Sequence, residues 1–216
     1  MWPGNCSANK MIFLNFKIYQ ETSGENTLKL CSLIKDRRVI PCLQAVDIYK
    51  IKAALPDLEI WAQHADPVGW GKFTGFTSPL ALAEAGANGS LLNHSEHQVD
   101  LSAAAEVKKA GLKLMIIADS VELIKKINKL HPDYIGFEDP KLIGGPVAMI
   151  DAHFELVKQA AAAARAPLIV GGGIRTAEQV RKSVQAGGKG VLVASEFARS
   201  ADPGQTLDQL IQGLDA

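Results

Sequence analysis

Eight short apolar runs, separated by stretches with helical apolar spacing, predict an α/β fold of eight parallel strands closed into a (β/α)8 barrel in one domain. The runs are rich in Ile, Val and Leu and short enough for strands buried on both faces. Right-handed crossovers can close such a sheet and remove both of its edges. Turns of Gly, Ala and Ser come late, after the seventh and eighth runs, where barrels commonly place a phosphate site. The rival, an open doubly wound sheet, lacks its G-x-G-x-x-G after the first run.

In order, the runs are Met11 to Phe16, Val39 to Leu43, Glu59 to Ala62, Gly89 to Leu92, Leu112 to Ile117, Tyr134 to Phe137, Leu168 to Val170 and Gly190 to Val193. Helical spacing follows the first run at Leu28, Leu30, Leu33 and Ile34, and the fourth at Val99, Leu101, Ala104, Ala105 and Val107. Ser78-Pro79 suits a helix start, because proline lacks the amide hydrogen that would be unpaired there. Asp119 with Glu122, and Thr176 with Gln179, have capping spacing. Gly86, Gly111 and Gly187 fall where helices end, in the left-handed conformation glycine tolerates. Residues 1–10 read as a polar extension that need not be ordered, with Met11 a possible alternative start, and residues 11–216 as the barrel.

The chain has 216 residues, 47% of them hydrophobic, enough for a sizeable core. Lys+Arg and Asp+Glu both number 23, so no net charge favours a nucleic-acid or membrane surface. An anionic substrate must therefore be held by local groups. Cys6, Cys31 and Cys42 are odd in number and lack metal-ligand spacing, which indicates free thiols in a reducing compartment. No apolar stretch is long enough to cross a bilayer, and the first ten residues hold no secretory core, so a cytoplasmic location is expected.

Four segments at the ends of the runs carry chemistry: Asn15-Phe16-Lys17; Asn93-His94-Ser95-Glu96; Glu138 ahead of Ile143-Gly144-Gly145; and Gly171-Gly172-Gly173-Ile174 with Ala194-Ser195. A lysine, a histidine, a glutamate and two small-residue turns are what proton transfer on a small anionic substrate needs. Glu138 follows an apolar run, where a partly desolvated carboxylate is a better base than one in water. The Gly171 to Ile174 turn lets backbone amides approach an anion. The chemistry needs no metal and no cofactor.

Taken in order, Asn15-Phe16-Lys17, Ala62-Gln63-His64-Ala65-Asp66-Pro67, Asn93-His94-Ser95-Glu96 and Glu138 through Ile143-Gly144 resemble triosephosphate isomerase, particularly its short archaeal-type form. The resemblance runs from Met11 to about Ala201. It implies Glu138 as base, His94 as electrophile and Lys17 as the fixed cation, with Asn15 placing substrate, Glu96 pairing with Lys17 and Ser95 contacting Glu138 in the open site. It also implies Ile143, Gly144, Gly173, Ala194 and Ser195 around the phosphorylated triose. Gly71-Lys72-Phe73-Thr74-Gly75 resembles the loop that family members push into a neighbouring subunit, so a homo-oligomer, dimer or tetramer, is expected.

The departures cluster after the sixth run. Where the archaeal-type pattern reads Glu-Pro-Pro-Glu-Leu-Ile-Gly-Thr-Gly, this chain has Glu138-Asp139-Pro140-Lys141-Leu142-Ile143-Gly144-Gly145-Pro146. Asp139 puts a like charge beside the base, which is expected to raise the pKa of Glu138. Pro146 removes an amide hydrogen at the loop tip. Two other readings stand beside the isomerase: a non-catalytic phosphometabolite-binding barrel, and an isomerase of another small sugar phosphate. Binding alone would not require Glu138.

Overall fold

The computed structural model describes residues 10–215. Eight strands, β1 (Met11–Asn15), β2 (Val39–Leu43), β3 (Trp61–Ala62), β4 (Gly89–Leu92), β5 (Lys113–Ala118), β6 (Tyr134–Phe137), β7 (Leu168–Val170) and β8 (Gly190–Val193), form a closed parallel barrel in sequence order. Closure pairs Met11 with Gly190 and Leu14 with Val193. Gly190 has φ +145°, and a Cβ there would lie 2.0 Å from the carbonyl oxygen of Met11, so the seam requires a residue without one. The third strand is two residues long rather than the four expected from Glu59 to Ala62. Of that run, only Trp61 and Ala62 pair with both β2 and β4.

Strand alternation sorts side chains into two cores. Met11, Phe13, Cys42, Trp61, Leu91, Met115, Ile169 and Leu192 fill the barrel interior, while Ile12, Leu14, Leu92, Ile116, Phe137 and Val193 pack outward beneath the helices. Phe13 meets Trp61 and Tyr134 edge-on at 5.1 Å each, within the range favoured by aromatic quadrupoles. The interior is therefore packed with side chains rather than open as a pore.

Between strands lie α1 (Glu25–Ser32), α2 (Ala45–Ala54), α3 (Pro79–Glu84), α4 (Ala103–Lys109), α5 (Val121–Ile127), α6 (Met149–Ala152), α7 (Phe154–Ala163), α8 (Ala177–Gln185), α9 (Ser195–Ala198) and α10 (Pro203–Asp215). Pro79 occupies the first turn of α3, and Thr176 with Gln179 forms a reciprocal capping box on α8. Gly86, Gly111 and Gly187 have φ of +95°, +76° and +98°. At α5 the cap is Ser120, whose hydroxyl accepts from the Leu123 amide, rather than Asp119. Strand β5 runs one residue further than expected, to Ala118, and displaces the cap with it.

The expected extension over residues 1–10 lies outside the described residues except at Lys10, whose ammonium donates to the Leu214 carbonyl at the end of α10. Cys6 is also outside them. Cys31 and Cys42 are buried free thiols, and burial pushes Cys31 up to about 12 and Cys42 above the usual thiol range. Among the described residues, no helix is long and apolar enough to cross a membrane, and no group of three or more His, Cys, Asp or Glu is placed to hold a metal ion.

Candidate active site

The strand period delivers the first groups to the mouth of the barrel. Met11 and Phe13 point inward, so Asn15, two residues on, faces the same interior at the C-terminal end of β1. Lys17 follows in the left-handed region at φ +48°, its amide donating to Asn15 Oδ1 at 3.1 Å. Gln63 Nε2 donates to the Lys17 carbonyl at 2.9 Å and to that of Cys42 at 3.1 Å. These bonds hold a non-glycine residue in a conformation that costs about 1–3 kcal/mol.

His94 arrives by a different route. Leu91 points into the barrel and Leu92 outward, so alternation alone would turn His94 outward. Asn93 interrupts it, with φ +60° and its side-chain amide on the Ile117 carbonyl at 3.0 Å, and His94 lines the mouth. The Glu96 amide donates to His94 Nδ1 at 3.2 Å. That bond makes Nδ1 the acceptor and leaves the proton on Nε2. Burial, with Lys17 assisting against Glu96, lowers the His94 pKa to about 4, so the ring is neutral at neutral pH.

Glu138 continues the inward face of β6 and is 4% exposed. Its Oε1 stands 3.1 Å from His94 Nε2, close enough for a hydrogen bond but not aligned with the ring N–H, and among the described residues it has no hydrogen-bond partner. Burial raises its pKa to about 7; Lys17 opposes the shift and Glu96 adds to it. Asp139, expected to be the like charge that raises Glu138, does not act that way. Its carboxylate accepts from the Lys141 amide at 2.9 Å and lies 3.7 Å from His153 Nε2, away from the mouth. Glu96 supplies the like charge instead, while its Oε1 pairs with Lys17 Nζ at 2.6 Å.

A small cavity of about 50 Å³ opens between these groups and the late turns. Asn15, Lys17, His94, Glu138, Ile143, Gly144, Gly173, Ala194 and Ser195 all line it. Gly172 and Gly173 have φ of +85° and +78°, and a Cβ at Gly171 would lie 2.7 Å from Glu138 Oε2. The turn after β7 thus needs glycine both for its backbone and for room beside the base. Ser95 stands apart, sharing a smaller cavity with Glu138, Asp119 and Pro140. Ile174, at the end of the expected anion turn, lines the main cavity too, whereas Tyr19, Leu192 and Arg175 also line it but were not expected there. Arg175 had a signal in the sequence, a cation directly after Gly-Gly-Gly-Ile.

The chain matches the sequence model of "Triosephosphate isomerase" over residues 10–124. Residues 97–209 also match the model "Histidine biosynthesis protein". That second match excludes Lys17 and His94, whereas relatives covering nearly the whole chain include them. The triosephosphate isomerase of Thermoplasma volcanium is 31% identical, covering 93% of this chain and 99% of its own. That of Saccharolobus solfataricus is 34% identical over 93% and 94%, and that of Methanobrevibacter smithii 32% identical over 94% and 98%. The crystal structure of triosephosphate isomerase from Bartonella henselae superposes with a TM-score of 0.71 at 17% identity, covering 94% of this chain and 99% of the other. With the closed eight-stranded barrel and relatives that span it end to end, the chain belongs to the triosephosphate isomerase family.

Proposed function

We propose that this protein interconverts D-glyceraldehyde 3-phosphate and dihydroxyacetone phosphate by proton transfer through an enediolate. The observation that carries the reading is the pairing of a buried carboxyl near pKa 7 with a neutral histidine 3.1 Å away, at the mouth of a small cavity that Lys17 makes cationic. A base works best when its pKa lies near the operating pH.

Glu138 takes the proton from the carbon beside the carbonyl, and the electron pair moves onto the carbonyl oxygen. His94, through Nε2–H, hydrogen-bonds the two substrate oxygens and shuttles the proton between them. Lys17 stabilises the negative charge that develops there. Glu138 then returns its proton to the neighbouring carbon, so that no atom is gained or lost. The phosphate lies against the turns at Gly173 and at Ala194 and Ser195, with Ile143 and Gly144 closing above it and Asn15 fixing the triose. Ser95 receives Glu138 when the site is open, a role supported by the small cavity they share.

The working unit is a homo-oligomer, dimer or tetramer, joined through the loop around Lys72 to Gly75. Trp70, Phe73 and Phe76 support this, because they expose 63%, 45% and 55% of their surface on one short segment. The setting is cytoplasmic, in keeping with buried free thiols, and no nucleic-acid or membrane partner is invoked for a chain of zero net charge.

Conversion of glyceraldehyde 3-phosphate by the purified protein, with Glu138→Gln as the control, tests the reading. Turnover that vanishes in the variant supports it. Substrate binding without turnover in the wild type would move the assignment to a non-catalytic phosphometabolite binder.

A further inference from the structure

Arg175 follows the glycine turn after β7, and its contacts run to the base's loop, to α8 and to Glu196 just past the last turn. Its guanidinium donates to the Pro146 carbonyl at 2.8 Å and also to the Gly145 carbonyl, at the tip of the segment that follows Glu138. Glu196, one residue past the Ala194-Ser195 turn, approaches its Nε at 3.9 Å. The Arg175 amide donates to Gln179 Oε1 at 2.7 Å, so its backbone is fixed by the capping box of α8. The same α8 turn holds the far side of the loop: Gln179 Nε2 and Lys182 Nζ each reach Asp151 of α6 at 2.8 Å.

We infer that Arg175 is a positioning residue that latches the Ile143 to Val147 lid over the cavity, gripping its tip through two backbone carbonyls. A guanidinium presents several donors in a fixed planar fork and is suited to two adjacent acceptors, whereas a lysine ammonium offers a compact point charge. The lid departs from its family's pattern at Gly145 and Pro146, the two residues whose carbonyls are gripped. Proline lacks an amide hydrogen but keeps its carbonyl, so this latch does not need the donor that Pro146 removes. Closure is therefore fastened from the α8 side by a side chain.

The inference rests on the isomerase reading for its effect on turnover, but its first test does not. Lys141 lies exposed just ahead of the lid, so trypsin cutting after Lys141 reports its loosening. Arg175→Gln is expected to speed that cut severalfold relative to the cut after Lys109, with Arg175→Lys between it and wild type and millimolar guanidinium slowing it again. For turnover, Arg175→Gln is expected to lower kcat/KM about tenfold, equivalent to ~1.4 kcal/mol. A Lys141 cut no faster than wild type, or one that rises only in step with the cut after Lys109, overturns the latch whatever the activity. A selective rise at Lys141 supports it even if wild-type protein turns over no triose phosphate, in which case the isomerase reading alone fails.

Discussion

His94 Nε2 and Glu138 Oε1 stand 3.1 Å apart, and burial moves their pKa values in opposite directions, His94 down to about 4 and Glu138 up to about 7. Between those values both groups are neutral, and above the upper one the carboxylate ionises beside an uncharged ring. This is the protonation state that enolisation needs: an ionised base and an N–H that is still a donor.

The rate should follow. The acid limb of kcat/KM is expected near pH 7, falling with the ionised fraction of Glu138, with no further limb from His94 until about pH 4. Glu96→Gln should move the limb to lower pH, since Glu96 raises Glu138 and its loss frees Lys17 to lower it further. Asp139→Asn should leave it in place, because that carboxylate faces Lys141 and His153. pH profiles of the three proteins check this, and a limb that moves with Asp139 instead of Glu96 would refute it.

Glu138→Gln should cost on the order of 10²–10⁴ in turnover and gain stability in alkali. The native carboxyl has its pKa raised above the ordinary 4.5, so the folded state binds more protons between that value and about 7. The stability this contributes is therefore fully present below 4.5 and is lost as pH rises through 7, by about 1.4 kcal/mol for each pH unit separating the folded and unfolded titrations. Melting temperatures should show the variant above wild type at pH 8, with the gap narrowing towards pH 4.

Lys17 combines a left-handed backbone with a fixed positive charge at the cavity expected to hold the substrate phosphate. Lys17→Gly removes the strain and the charge together. Turnover and inorganic phosphate binding should be lost while the melting temperature holds or rises. A marked fall in stability would mean that the surface-facing pair with Glu96 contributes more than the half-exposed Glu96 carboxylate suggests.

Pro146→Gly keeps the carbonyl that Arg175 grips but frees the backbone at the lid tip. Turnover should change more than substrate affinity, and steady-state kinetics with both substrates will read the split. No change in either would leave the ring of Pro146 without a role in lid motion.

Phe73→Ser removes an apolar side chain from the loop of Gly71 to Gly75. Sedimentation should give an oligomer for the wild type and a smaller species for the variant, with activity falling alongside. A wild type that sediments at the 23.1 kDa of one chain would remove the oligomer from the reading.

Much of this molecule is set by local pattern. All eight strands lie within a few residues of the apolar runs, because burial on both faces favours short, mostly apolar segments. The Thr176 and Gln179 capping box and the glycine helix ends follow from contacts spanning only a few residues. Asn15, Lys17, His94 and Glu138 converge because a barrel gathers the ends of its strands. Tertiary structure decided what these groups experience. Asn93 at φ +60° turned His94 inward, Asp139 pointed away from the base it adjoins in sequence, and Arg175 reached carbonyls about thirty residues back. Periodicity reports which face a residue takes, through steric and hydrogen-bond rules acting over a turn or a pleat. The field at a carboxylate and the grip on a lid depend on distances between segments far apart in the chain, which exist only once the barrel has closed.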